Sequence, residues 1–350
     1  MRRSTGAALA ALAALAGGCM MPRYLAQASY GQFDLLARAR PIRDVVIDPE
    51  TPERTRVLLS AVPAILDYGA RRGLEIRRNY RNYAEVDAGA AVWFVGAAPR
   101  LSFEPRKWCF PIAGCFTGLG WFEEEEALAH RAQLERDGWD AMARPAIAYS
   151  TGGWFPDPVL SSMLSDDDDA WAELANVLLH ESVHATVFVP DQPFFNEGLA
   201  SYVADTMTDD WLVATFGATS PERTGYQADE ARRQARISRL LIAYDELDRL
   251  YRSTLADRDK LARKRAIIDR AVLDLGLRTR PNNASLVELR VYRASGDGFA
   301  RAHAACGDLT RLMDAAKQLR RRDFAQDLDE NLGPVLTKLA TRCATSARRR

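Results

Sequence analysis

Histidine is scarce in this chain of 350 residues, with only four, and cysteine is scarce too, with five. Excess charge of either sign is missing: 47 basic side chains face 47 acidic ones. That balance argues against a nucleic-acid binder, which needs a basic surface to neutralise phosphates. The terminal Arg348-Arg349-Arg350 reads as a chain end, not a binding patch. Beyond the N-terminus no apolar run approaches the ~20 residues of a membrane span. No internal repeat or low-complexity linker is present, and no Cys-x-x-Cys spacing offers a cysteine-ligated metal site. What remains is an ordinary globular composition, 47% hydrophobic and 27% charged, enough for one large domain or two small ones.

Two of the four histidines stand together in His180-Glu181-Ser182-Val183-His184, and Phe195-Asn196-Glu197-Gly198 follows shortly after. Residues four apart share one face of a helix, one turn from each other, so both imidazoles can reach a single metal ion. Glu181 between them is placed to act as general base on a metal-bound water. The helix itself is well marked. Acidic residues 166–169 suit the positive end of a helix dipole, Ser165 is a plausible N-cap, and neither Gly nor Pro occurs from Ala170 until Pro190. Pro190-Asp191-Gln192-Pro193 then breaks the chain, and residues 194–205 read as a second helix. So short a connection makes the two helices neighbours and swings Glu197 back over the histidines. His180, His184 and Glu197 with an open fourth position form the ligand set of a catalytic zinc site, one ion per chain. His-His-Glu suits zinc best, although ligand type alone also admits cobalt or manganese.

The plainer alternatives are two core histidines paired with Glu181 and Glu197, or Glu197 as a helix-capping neighbour. Asp191 and Asp205 compete for the third ligand position. Asp191 lies in the turn without the Gly that would let the backbone fold sharply, and Asp205 is two turns beyond Glu197.

At the N-terminus, Arg2-Arg3, an apolar run over residues 7–16 and Leu15-Ala16-Gly17-Gly18-Cys19 read as a signal peptide of residues 1–18. Cys19 would be lipidated, which makes the membrane a partner through a lipid anchor and faces the domain toward the periplasm; a plain secretory signal is the alternative. Cys109, Cys115, Cys306 and Cys343 are then an even set. Cys109 with Cys115 could close a small loop and Cys306 with Cys343 could tie two helices, but four cysteines permit three pairings. Disulfides in an oxidising compartment fit better than a second zinc site.

Helices are expected over residues 24–40, ended by Pro41, over 53–72 with a bend at Pro63, and over 123–136. Strands are expected over 90–98, 109–116 and 146–151. Residues 227–277 read as one or two long charged helices, and helices resume after Pro281-Asn282-Asn283 to about residue 344. Glu123-Glu124-Glu125-Glu126 is most simply a solvated first turn, with an anchor for a substrate amine as the bolder reading. The fold class is α+β: a small mixed sheet and the two ligand helices in residues 19–208, with a large α-helical portion, 209–350, packed on that core as one unit.

At these residues the chain resembles the bacterial zinc aminopeptidase family of predicted lipoproteins, gluzincin-like in its His-Glu-x-x-His and Asn-Glu motifs. The resemblance covers roughly residues 24–330. It is carried by Tyr24-Leu25, residues 31–36 and 40–42, Tyr149-Ser150-Thr151-Gly152-Gly153-Trp154-Phe155 with Asp157-Pro158, residues 180–184, and Phe195-Asn196-Glu197. It implies a zincin-like core, His180, His184 and Glu197 as ligands, and Glu181 as the catalytic carboxylate acting on a peptide substrate. In zincin-type peptidases an edge strand pairs with the substrate backbone, and Tyr149, Ser150 and Thr151 are placed for that role. Tyr292 is the candidate donor to the developing oxyanion, with Tyr149 and Tyr202 as rivals. No Gly-x-Met-Glu-Asn type segment is present to bind a free amine. An endopeptidase, or an envelope lipoprotein with a structural metal site, therefore stands beside the aminopeptidase reading.

Overall fold

The computed structural model describes residues 20–347 except 87–88, 111–113, 150–154, 168 and 293–295. Helix α1, Met20–Arg38, stops short of Pro41, whose ring disfavours helix in the residue before it. A two-residue strand β1, Arg40–Pro41, leads to the short helix α2, Ile42–Ile47, and to α3, Glu53–Ala70, which carries Pro63 inside it.

An antiparallel sheet of three strands follows. Its centre is β3, Val92–Pro99, flanked by β6, Gly118–Trp121, and β7, Trp139–Ala146. Val95 stands opposite Leu119 on one side and Ala143 on the other. Helix α4, Glu124–Arg136, covers the sheet, and its Ala127 and Leu134 join Val95, Leu119, Trp121 and Trp108 in a small satellite core. The expected strand over 109–116 is instead a hairpin of β4, Trp108–Phe110, and β5, Gly114–Phe116. Cys109 faces Cys115 across it, and the two are joined by a disulfide.

The strand expected over 146–151 lies earlier. β7 ends at Ala146 because its partner runs out there, Ala146 being paired with Val92, the first residue of β3. Residues 147–149 leave the sheet, and Ser150 and Thr151 lie outside the described residues. A second small sheet is mixed. In it β2, Asn82–Ala84, pairs antiparallel with β1 and parallel with β8, Val159–Leu160, which leads toward the histidine-bearing helix.

That helix is α5, Ala170–Thr186, and its successor is α6, Pro193–Phe216. α6 runs well past the expected end at residue 205. No Gly or Pro interrupts residues 199–216, and it stops at Gly217, whose φ of 101° is a conformation L-residues avoid. Two long helices follow, α7, Pro221–Tyr251, capped by the Ser220 hydroxyl, and α8, Asp257–Leu275, closed by Gly276. The C-terminal portion comprises α9, Asn283–Tyr292, α10, Gly296–Cys306, α11, Leu309–Ala316, and α12, Gly333–Ala347. A second disulfide, Cys306–Cys343, ties α10 to α12.

The fold is thus mixed α+β and mostly helical. One apolar cluster extends from Leu35 to Cys343 and takes in Leu174, Leu178, Leu179 and Val183 of α5 and Phe194, Phe195, Leu199 and Val203 of α6. Among the described residues no helix is long and apolar enough to cross a membrane.

Candidate metal centre

Helix α5 begins later than Ser165 suggested. Its N-cap position is Asp169, whose side chain makes no capping bond, while the Ser165 hydroxyl accepts from the Asp167 N–H in a turn ahead of the helix. Asp167, Asp169 and Glu173 bring carboxylates to the positive end of the helix dipole and line a cavity of about 1040 Å³ together with Arg232, Arg233 and Arg236. From there α5 buries Leu174, Leu178, Leu179 and Val183 against the core. Within the motif Ser182 is buried and its hydroxyl bonds back to the Leu178 carbonyl at 2.6 Å. Thr186 does the same toward Ser182 and also accepts from the Glu75 N–H at 2.8 Å, which fastens the turn after α3 to the end of α5.

The connector between α5 and α6 is fixed from within. Asn196, buried on the first turn of α6, accepts from the Val189 N–H at 3.0 Å and donates to the Val189 carbonyl at 2.8 Å. Asp191 takes a left-handed φ of 59°. The sharp turn thought to need glycine is therefore made by aspartate, one of the few other residues that tolerates this region.

The result is a triangle of ligand atoms. His180 Nε2 and His184 Nε2 are 3.2 Å apart, and Glu197 Oε2 lies 3.3 Å from the first and 3.4 Å from the second. Tetrahedral zinc, with bonds of about 2.0–2.1 Å, separates its ligand atoms by about 3.3–3.4 Å. These three side chains therefore fit one such ion without movement. Glu197 Oε2 is buried, and its polar neighbours are the two imidazoles. The side chains keep 15, 14 and 22% of their exposure, so solvent reaches the cluster.

Electrostatics bind the three together. Burial favours neutral His184, but the charge and hydrogen bond of Glu197 outweigh it and hold the imidazole up at about 9. Burial likewise raises the Glu197 carboxyl, and the two imidazoles reverse this, holding it well below the usual carboxylate range. These are two views of one coupling. The charge of Glu181 reaches both His184 and the hydroxyl of Tyr80.

The rival third ligands fall away. Asp205 accepts from Asn176 Nδ2 at 2.9 Å on another part of α6, and Asp191 stays in the turn. The other two histidines are accounted for as well. Trp121 Nε1 donates to His130 Nδ1 at 3.1 Å, and the Tyr202 hydroxyl shares a 2.8 Å hydrogen bond with His303 Nδ1. That bond engages one rival for oxyanion donor. Tyr149 packs edge-on against Phe122, and burial raises its hydroxyl well above the ordinary range. Tyr292 closes α9, but its side chain lies outside the described residues, as do Ser150, Thr151 and Cys19. The acidic run at 123–126 opens α4, with Glu126 paired to Arg23.

Three polar residues around the centre were given no role of their own by the sequence reading. Asn196 is one and the fully buried Gln192 is another. The third is Tyr80, buried at a left-handed φ of 59°, with a hydroxyl that has no hydrogen-bond partner among the described residues. Only Asn196 left a signal, its place beside Glu197.

A mixed fold of this kind, with two imidazoles and a carboxylate converging from adjoining helices, defines a protein with a candidate three-ligand metal site. The chain matches the family described as "Putative aminopeptidase" over residues 23–329 and belongs to it. That membership supports a peptidase-like function. No curated protein and no solved structure shows significant similarity to the chain.

Proposed function

We propose that this protein is a zinc-dependent aminopeptidase, lipid-anchored through Cys19 and facing the periplasm. The observation that carries the metal reading is the ligand triangle, with edges of 3.2, 3.3 and 3.4 Å, which matches tetrahedral zinc. His180, His184 and Glu197 would hold the ion, and the zincin-like character of the core belongs to the same proposal. When bound, zinc would polarise a water and the scissile carbonyl. Glu181, between the two histidines, would accept a proton on its carboxylate as the water attacks and pass it to the leaving amine. Tyr292 is the proposed donor to the oxyanion, and Tyr149, Ser150 and Thr151 are the proposed substrate-binding residues. β7 ends at Ala146, so no ladder at residues 147–149 supports backbone pairing with substrate.

The test is metal content of the full-length chain and of Glu197→Ala, with free-amine and N-blocked peptides offered to each. One zinc per chain, lost with Glu197→Ala, and cleavage confined to free amino termini support the proposal. Cleavage of blocked peptides would make the protein an endopeptidase. Metal without any cleavage would leave a structural site, and absence of metal would overturn the reading.

A further inference from the structure

We propose that residues 326–329, far along the chain from the ligands, form a clamp that positions the metal centre, with Gln192 as the positioning residue it grips. This rests on the zinc reading of the cluster. Gln192 occupies the N-cap position of α6 and has no exposed surface, yet its side chain makes no capping bond. It reaches out of its own helix instead: Nε2 donates to the Gln326 carbonyl at 2.7 Å, and Oε1 accepts from the Asp329 N–H at 3.3 Å. Beside it the Asp191 carbonyl accepts from the Leu328 N–H at 2.8 Å.

Both partners of that last bond are strained. Asp191 has φ 59° and Leu328 has φ 53°, a region a leucine rarely enters. Such conformations persist only where neighbouring contacts over-determine them, and they gather at functional sites. Here the two strained residues are bonded to each other across the ligand connector.

The clamp is itself held. Asp329 is buried and its carboxylate accepts from the N–H groups of Ala325 and Asn331, each at 3.1 Å. The Phe324 ring packs edge-on against Phe195, with centroids 5.3 Å apart, and Phe195 sits two residues before Glu197. The start of α6 is therefore set from three directions: by Asn196 on Val189, by Phe324 on Phe195, and by residues 326–329 on Asp191 and Gln192. Glu197 lies about one turn into that helix. A shift at the N-cap would move Oε2 off the triangle, and partners one step removed from a metal commonly change its affinity by about 10–100-fold.

Zinc affinity measured by chelator competition on the full-length chain, purified in detergent, tests this. The variants are Gln192→Ala and the near-isosteric Gln192→Glu, which sets a carboxylate oxygen against the Gln326 carbonyl. Ile268→Ala, a cavity in α8 outside the connector, serves as a destabilised control. The expected result is at least a tenfold loss of zinc affinity in both Gln192 variants. Ile268→Ala should keep wild-type affinity despite its lower melting temperature. Wild-type affinity in the Gln192 variants, or an equal loss in Ile268→Ala, would overturn the clamp while leaving the zinc reading intact. A wild-type chain that binds no zinc would overturn the zinc reading, and the clamp with it.

Discussion

Asn196 holds Val189 by both of its backbone groups, at 3.0 Å through the N–H and 2.8 Å through the carbonyl. Replacing it with alanine strands the buried Val189 N–H and leaves the Val189 carbonyl with the Gln192 N–H alone, at 3.3 Å, at a cost of about 1–3 kcal/mol in unfolding free energy. Asn196→Asp should do little better, since a carboxylate oxygen would then face the Val189 carbonyl. Denaturant unfolding reads the stability and chelator competition the zinc affinity, and both should fall together. A loss of stability with unchanged zinc affinity would show that the connector does not place Glu197.

Glu181→Gln separates catalysis from metal binding. Zinc should remain at one per chain, because the triangle is formed by other residues. Peptide turnover should fall by a factor on the order of 100 or more, as expected when a general base is removed. Substantial turnover in this variant would remove Glu181 from the mechanism.

His130 gives the fold an acid-sensitive point away from the metal centre. Burial first, and the charge of Arg106 second, lower its imidazole to about 4. The unfolded chain therefore takes up this proton before the folded one as pH falls. Its contribution is complete above about pH 6.5 and is lost on descending toward pH 4, a change on the order of 3 kcal/mol. His130→Gln, which keeps an acceptor for Trp121, should flatten the stability curve across that window. Parallel curves for the two proteins would rule this residue out as the source.

The two disulfides should differ in worth. Cys306–Cys343 spans 37 residues and Cys109–Cys115 spans 6. Loop-closure entropy assigns about 4 kcal/mol to the first and about 2 kcal/mol to the second. Paired alanine variants of each bridge, unfolded in denaturant, test the ordering, and equal losses would contradict it.

Much of the centre was legible because its signals are local. The His180–His184 spacing, the prolines around the connector and the helical stretches each depend on neighbours a few residues apart, and the structure places them accordingly. Element bounds were read less well. β7 ends at Ala146 because its antiparallel partner β3 begins opposite it, and residues 109–116 fold into a hairpin in which Cys109 faces Cys115. Helix α5 starts at Ala170, past the capping residue that composition favoured. The grip on Gln192 was invisible because nothing in Pro190-Asp191-Gln192-Pro193 points to residues more than 130 positions away.

The clamp also bears on the order in which the protein is made. His180, His184 and Glu197 leave the ribosome well before residues 326–329, and Cys343 follows later still. A nascent chain halted at residue 320 carries every proposed ligand but lacks the contacts that residues 326–329 make with Asp191 and Gln192. On the proposed clamp, tight metal binding would wait for residues 326–329, which would make metal uptake a late event in biosynthesis.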